Sequence, residues 1–184
     1  MPVRVKVSGF CPSKSQRRIL GVNQDLLVRE TRPTATLEQH ALFARYQSNR
    51  HVGSDMAAMS MSDYRTMIEE SPIDTRMIEL RTPQGGLIAC CLVDFLGDGL
   101  SAVYSFYSPT DGRRSLGTHM ILWLIGQARS LNLPFVYLGY WISKSEKMSY
   151  KTRFGALQAL RSTGWIPVDN TAGSDIAHRS APVG

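Results

Sequence analysis

Apolar residues occur with two different periods along the 184-residue chain, and their longest run lies in its second half. Residues 120–131 are apolar nearly all round a helical wheel, which predicts a buried helix. Ser115 stands at the expected N-cap of this helix, and Asn132 and Pro134 end it. The pattern thus places a buried helix near the centre of the fold.

Strands are predicted on both sides of that helix. Residues 135–142 form an aromatic and β-branched run without polar alternation, which indicates a central strand covered on both faces. Three earlier runs, 77–80, 87–96 and 100–107, are separated by glycine-containing turns and predict an antiparallel meander. A right-handed crossover through the helix would make the later strand parallel to its predecessor. The expected fold is α/β (α+β), with a mixed sheet of a meander plus one parallel strand reached through the buried helix. This order of elements resembles the acetyltransferase-like (GNAT-type) fold.

The chain begins with apolar and polar residues in alternation. Val3 and Val5 alternate with Arg4 and Lys6, which predicts a strand starting at the first residue and suggests further sequence upstream. Residues 12–18 carry three cations among small polar residues and are interpreted as a loop. Such a loop suits phosphate contact, or it is simply solvated.

Two helices are predicted before the meander. Thr36 and Gln39 form a capping box ahead of a helix that runs to Arg50. Residues 52–62 show no clear period and are interpreted as a loop before a short helix around Tyr64.

The region after the central strand predicts smaller elements. Residues 144–154 indicate a short helix, and Leu157 and Leu160 a further helical turn. Residues 165–168 indicate an edge strand, and the small polar residues 169–184 a disordered tail.

The composition favours a soluble protein with an anionic partner. The formal net charge is +6 and the pI about 9.5, which suits nucleic acid, although many basic proteins bind none. No run reaches the roughly 18 apolar residues of a membrane span. Cys11, Cys90 and Cys91 are too few and too badly spaced for a disulfide framework or a zinc site, so we expect a reducing cytoplasm and no metal. Cys90 and Cys91 are expected to pack as small apolar residues.

The turn before the buried helix carries further signals. Residues 114–119 resemble the phosphate-binding turn of acetyltransferase-like proteins, Gln/Arg-x-x-Gly-x-Gly/Ala, at Arg114 and Gly117. Free N–H groups at a helix N-terminus favour an anion there. His119 replaces the small residue and counts against a coenzyme A pyrophosphate, although an acyl-CoA-dependent N-acetyltransferase stays an alternative. The predicted tRNA-binding residues are Arg17, Arg18, Arg113, Arg114, Ser115 and Gly117.

Several segments taken together, in chain order, resemble one enzyme family. The segments lie at residues 15–18, 46–51, 94–104, 115–117, 137–142 and 147–151. They are similar to the aminoacyl-tRNA–protein transferases of the N-degron pathway, and most of all to the bacterial aspartate/glutamate leucyltransferase branch. The resemblance implies transfer of leucine from leucyl-tRNA to an N-terminal Asp or Glu. The arginyl-tRNA–protein transferases are the alternative, because pocket shape decides the donor, and an inactive RNA-binding fragment is another.

The chain departs from the family pattern in two places. Members carry an N-terminal cysteine-rich module that this sequence lacks, so the resemblance implies a remnant of that module at 1–30, an acyl-transfer catalytic domain at 31–168 and a tail at 169–184. Ala156 and Gln158 stand where the family usually shows proline and glutamate.

The chemistry of ester aminolysis requires neither a covalent nucleophile nor a cofactor. An aminoacyl ester is already activated, so the enzyme aligns a neutral amine, stabilises the oxyanion and protonates the leaving ribose oxygen. The diverging ends of the parallel strands expose backbone groups near Tyr104, and Asp94 is the candidate to orient or deprotonate the amine, or else only a hairpin cap.

The acceptor carboxylate calls for a cation. Lys147 and Lys151, four apart on the predicted helix, would present that charge on one face, unless they form a solvated face. Arg50 and His51 are the second candidate pair. Tyr150 would bind the peptide, and Trp141, otherwise a core residue, would line the aminoacyl pocket.

Overall fold

The described part of the chain forms one mixed sheet of eight strands. The computed structural model describes residues 1–50, 59–142 and 146–168. The strands are ordered β2-β3-β4-β5-β6-β1-β7-β8, and all neighbours are antiparallel except β5 and β6. Their bounds are β1 Pro2–Lys6, β2 Leu27–Thr31, β3 Thr75–Arg81, β4 Leu87–Leu96, β5 Gly99–Tyr107, β6 Phe135–Tyr140, β7 Leu157–Arg161 and β8 Gly164–Pro167.

Four α-helices cover the sheet in the described ranges. They are α1 Lys14–Val22, α2 Leu37–Arg50, α3 Met61–Glu69 and α4 Leu116–Ser130. Short 3-10 helices span Val7–Gly9, Gly112–Arg114 and Glu146–Arg153. None of the helices in these ranges is long and apolar enough to cross a membrane.

The two faces of the sheet carry separate apolar cores. Helices α1 and α4 pack on one face, where eight residues of α4 are buried, as the sequence predicts. Helices α2 and α3 pack on the other face, over β3, β4 and β5. Adjacent strand residues point to opposite faces, so Cys91 lies in the first core and Cys90 in the second. Both thiols are buried, which confirms that they act as packed apolar residues.

The first strand is a central element of this sheet. β1 lies between β6 and β7 and is antiparallel to both. Val3 and Val5 are buried, which confirms the predicted alternation. On the opposite face the guanidinium of Arg4 stacks between two rings, 3.4 Å from the Phe135 centroid and 4.2 Å from that of Trp165. The residues predicted as an N-terminal remnant therefore contribute a strand to the same sheet as the rest.

The parallel contact between β5 and β6 is short. It joins Gly99–Ser101 to Phe135–Tyr137 and then ends, because a bulge leaves Val103 without an opposite residue in β4. The strands diverge beyond this point. The prediction that both faces of β6 are covered is wrong, because burial alternates along the strand and Tyr140 is exposed.

Two other local predictions are wrong, and one holds only in part. Residues 14–18 belong to α1, where Ser13 and Gln16 form a capping box. Ser115 is the N-cap residue of α4, as predicted, but its side chain makes no capping hydrogen bond and its backbone is left-handed at φ 47° after a 3-10 turn. Residues 157–160 form strand β7, whose period of two buries Leu157 and Ala159 beside β1.

One predicted capping box and one predicted edge strand are confirmed, and the start of one predicted helix is shifted. The Gln39 N–H donates to Thr36 Oγ1 at 3.2 Å and the Thr36 N–H to Gln39 Oε1 at 3.1 Å, so the capping box of α2 is present. The edge strand at 165–168 appears as β8. Helix α3 begins at Met61, inside the predicted loop 52–62, of which residues 52–58 lie outside the described ranges. The predicted tail at 169–184 also lies outside them.

Candidate functional site

A pocket lies at the C-terminal end of β5, beyond the part of the strand that pairs with β6. It has a volume of about 380 Å³ and is bounded by the C-terminal half of α2, the end of β5, the first turn of α4 and the 3-10 helix Glu146–Arg153. The rings of Tyr46 and Tyr107 pack edge to face at one wall, with centroids 4.9 Å apart. The lining residues are Tyr46, Asn49, Ser105, Tyr107, Ser108, Pro109, Asp111, Gly112, Ser115, Leu116, Gly117, Thr118 and Tyr150.

The N-terminus of α4 faces this pocket. Ser115, Gly117 and Thr118 line it, and the first N–H groups of a helix have no partner within the helix. A Cβ on Gly117 would lie 3.0 Å from the ring of Tyr107, so a larger residue there would require the ring to shift. The helix terminus, with its partial positive charge, is suited to a phosphate or another anion.

The open edge of β5 forms another wall. The parallel ladder ends at Ser101 and Tyr137, so the backbone of β5 beyond Ser101 is not paired with β6. Ser105 and Tyr107 lie on this part of β5 and line the pocket. A substrate amide or ester can therefore reach backbone donors and acceptors there.

Tyr104 lies on the opposite side of β5 from Ser105, beneath the C-terminal half of α2. Its hydroxyl accepts a hydrogen bond of 2.6 Å from Nε2 of Gln47, which is fully buried. Partial burial raises the pKa of Tyr104, and the bond from Gln47 opposes that shift. Tyr104 thus adjoins the strand edge of the pocket but does not line it.

Asp94 lies on β4, opposite the beginning of β5, whereas the pocket lies at the C-terminal end of β5. Asp94 pairs with Ser101 across β4 and β5, and its Oδ1 accepts a hydrogen bond of 2.6 Å from the hydroxyl of Thr75. This bond ties β4 to β3. The structure therefore places Asp94 on the sheet near the start of the divergence and not among the pocket residues.

The predicted tRNA-binding arginines fall into two groups. Arg17, Arg18 and Arg113 are exposed, although Arg17 Nη1 also donates to the Pro12 carbonyl at 2.6 Å. Arg114 instead binds Asp25 through both terminal nitrogens at 2.8 Å, which lowers the pKa of Asp25. Because this ion pair holds the loop after α1 to the turn before α4, Arg114 is engaged within the protein.

His119 is a buried residue of the first turns of α4. It is 6% exposed, and its Nδ1 has no hydrogen-bond partner among the described residues. Burial lowers the pKa of His119, and the cation of Arg114 lowers it further. A structural role for His119 fits this position better than a role as a base in the pocket.

The predicted pair of lysines is not arranged as expected. The segment Glu146–Arg153 is a 3-10 helix, in which residues four apart do not share one face. Lys151 points into the protein, where its Nζ donates to the carbonyls of Leu138 at 2.7 Å and Tyr140 at 2.5 Å. The prediction that Lys151 presents its charge to a substrate is therefore wrong for this conformation. The side chain of Lys147 lies outside the description.

The structure describes the other substrate-binding candidates to different extents. Tyr150 lines the pocket, as the acceptor prediction requires of it. Trp141 follows β6, packs against the core, and its backbone N–H donates to the Met1 carbonyl. Arg50 ends α2, but its side chain is not described, and His51 lies outside the described residues.

Sequence reasoning missed several pocket residues. Tyr46 and Asn49 lie on the pocket side of α2, and their spacing of three was the available signal. Gln47 gave no signal, because a buried amide on a helix is indistinguishable in sequence from an exposed one.

Comparison with known proteins assigns this architecture to a family. A family model described as "Arginine-tRNA-protein transferase, C terminus" matches residues 38–161. A protein of Paramagnetospirillum magneticum named aspartate/glutamate leucyltransferase is 52% identical over 90% of this chain and 68% of its own length. One of the same name from Gluconacetobacter diazotrophicus is 52% identical over 92% of this chain and 65% of its own. The chain thus spans about two-thirds of the length of these relatives.

Solved structures share the fold at low sequence identity. The C-terminal domain of a putative lysylphosphatidylglycerol synthetase from Agrobacterium fabrum matches with a TM-score of 0.57 at 11% identity, covering 82% of this chain and 49% of that one. FemX matches with a TM-score of 0.56 at 9% identity, covering 80% of this chain and 55% of that one. These likenesses support the expected acyltransferase-type mixed sheet.

Proposed function

Since the chain belongs to the arginine-tRNA-protein transferase family, we propose that it transfers leucine from leucyl-tRNA to the N-terminal Asp or Glu of proteins, marking them for degradation. The observation that carries the proposal is the pocket at the C-terminal end of β5, beyond its pairing with β6 and beside the N-terminus of α4. Relatives about half identical over nearly the whole chain are named leucyltransferases, which favours leucine over arginine as the donor and disfavours an acyl-CoA donor.

The donor end of the pocket suits the 3′ end of a tRNA. A phosphate of the terminal nucleotides would bind the N–H groups of residues 116–118 at the start of α4. Arg113 lies next to this turn, and Arg17 and Arg18 lie on α1, which packs against α4. These exposed cations offer phosphate contacts that continue outward from the pocket.

The acceptor end requires an oriented amine and a donor for the oxyanion. The open backbone edge of β5 near Ser105 provides hydrogen-bonding groups, and Tyr104 precedes Ser105 on that strand with its hydroxyl on the α2 side. Positioning of the two substrates can supply a large part of the acceleration in such an aminolysis. Asp94 pairs with Ser101 at the opposite end of β5 and accepts a hydrogen bond from Thr75, so its part in holding the amine would be indirect, through β5. Arg50, His51 and Lys147 are the candidates for the acidic side chain.

Transfer of labelled leucine tests the proposal directly. The chain is incubated with leucyl-tRNA and matched peptides that begin with Asp, Asn, Glu or Gln, since the amides keep the shape of the acids and remove the charge. We expect leucine on the Asp and Glu peptides and at least about ten-fold less on the amides, as loss of a charged hydrogen bond predicts. Preference for arginyl-tRNA, or equal transfer to acid and amide, would contradict the proposed donor or acceptor.

A further inference from the structure

The ammonium of Lys151 lies at the point where the sheet opens. Its two acceptors, the carbonyls of Leu138 and Tyr140, come after Tyr137, the last residue of β6 that pairs with β5. Lys151 is only 8% exposed. The Lys151 side chain thus binds the backbone of β6 just beyond the end of the parallel ladder.

Burial of this ammonium is unfavourable unless its hydrogen bonds compensate. In the described part of the chain Lys151 makes no ion pair with a carboxylate, and two carbonyl dipoles are its partners. Desolvation lowers the pKa of its amine. The two bonds must therefore hold a defined geometry, because loss of either leaves a buried cation poorly solvated.

Tyr150, which precedes Lys151 on the 3-10 helix, lies at the pocket and not against β6. Tyr150 lines the pocket across from the N-terminus of α4, and Phe154, just after the helix, is buried against Phe10. The helix spans eight residues, which is long for a 3-10 helix, so it depends on tertiary contacts. Lys151 and Phe154 are its anchors on the protein side.

We propose that Lys151 is a positioning residue, which fixes the open end of β6 and thereby the place of Tyr150 at the wall of the pocket. Its ammonium replaces the strand contact that β5 no longer makes, and so keeps the divergent strands in their open arrangement. The inference rests on the proposed function only where transfer is the readout.

Hydrogen exchange tests the anchoring without any substrate. Lys151→Met keeps the length of the side chain and removes the donors, and we expect exchange at the amides of residues 139–141 to rise at least about ten-fold. Arg153→Met is the matched control, because Arg153 is an exposed cation of the same helix, and it should leave exchange unchanged. Unchanged exchange in Lys151→Met would overturn the proposal. Lys151→Gln, which retains N–H donors without charge, is read in the same way if the Met variant does not fold.

Kinetics separate positioning from general destabilisation. We expect Lys151→Met to raise the KM for leucyl-tRNA about ten-fold with a smaller change in kcat, Lys151→Gln to recover part of the loss, and Tyr150→Ala to abolish the sensitivity to Lys151. If the losses of transfer activity add in the double variant Lys151→Met/Tyr150→Ala, Lys151 does not act through Tyr150. That result would overturn the proposal that Lys151 positions Tyr150. If the unaltered chain transfers no leucine, the proposed function fails, whereas the exchange result still decides the anchoring.

Discussion

The side-chain amide of Gln47 donates a hydrogen bond of 2.6 Å to the hydroxyl of Tyr104, and thereby joins α2 to β5 next to the bulge at Val103. Gln47 is fully buried, and its Oε1 has no partner among the described residues. Because Gln47 occupies an acceptor position of the phenol, the Tyr104 proton is directed elsewhere. The arrangement makes Tyr104 a candidate donor at the edge of the divergent strands.

Removal of the Tyr104 hydroxyl should therefore affect both stability and transfer. Tyr104→Phe leaves the amide of Gln47 buried without its partner, and we expect a loss of about 1–3 kcal/mol in the free energy of unfolding. If the hydroxyl stabilises the oxyanion, kcat should fall by about 10²-fold or more. Urea unfolding and single-turnover transfer measure the two effects.

The double variant is the control for this pair. Gln47→Leu in the Tyr104→Phe background replaces both polar partners, so it should recover part of the stability but none of the transfer. Recovery of transfer would exclude the hydroxyl as a donor. An unchanged kcat in Tyr104→Phe alone would do the same.

Two glycines of α4 should respond oppositely to alanine. At Gly117 a Cβ would lie 3.0 Å from the Tyr107 ring, so Gly117→Ala should displace this pocket residue and weaken binding of leucyl-tRNA about ten-fold. At Gly126 a Cβ would meet no atom within 4 Å, so Gly126→Ala should stabilise the protein by about 0.5–1 kcal/mol and leave binding unchanged. Filter binding and urea unfolding provide the measurements. Equal affinity of the two variants would contradict the close approach of α4 to Tyr107.

Stability should fall in mild acid because of His119. Its pKa lies below the ordinary value of 6.5 in the folded protein, since burial and Arg114 disfavour the cation. The unfolded chain binds this proton more readily, so the stabilisation is complete above about pH 6.5 and is lost as the pH falls towards the folded pKa. Each unit of pKa difference corresponds to about 1.4 kcal/mol. Urea midpoints of the protein and of His119→Gln should diverge between about pH 7.5 and about pH 5, and parallel curves would contradict the assignment.

Arg113 and Arg114 should have separable roles although they are neighbours. Arg113 is exposed, so Arg113→Ala should reduce the salt dependence of tRNA affinity by about 0.7–0.9 logarithmic units per tenfold change in salt. Arg114 is paired with Asp25, so Arg114→Ala and Asp25→Ala should lower the melting temperature similarly and leave that slope unchanged. A reduced salt dependence of tRNA affinity in Arg114→Ala would show that Arg114 contacts tRNA after all. Arg17→Ala and Arg18→Ala should each resemble Arg113→Ala.

The sequence alone determined the elements with a strong local signal. The buried helix α4, the meander of β3, β4 and β5, and the capping box of Thr36 and Gln39 follow from hydrophobic period and turn chemistry, which act between residues near in sequence. The crossover to a parallel β6 follows from chain handedness. The family resemblance also came from short segments in order, and the family match confirms it.

Only the tertiary structure decided which groups each side chain meets. The sequence predicts Lys151 as a surface cation beside Lys147. In the structure it binds carbonyls of β6, more than ten residues earlier in the chain. The sequence predicts that Arg114 is free to bind phosphate, but its charge is paired with Asp25, 89 residues away. The placement of β1 between β6 and β7 likewise depends on partners from distant parts of the chain. Burial and electrostatic pairing are properties of folded neighbours, and no local period encodes them.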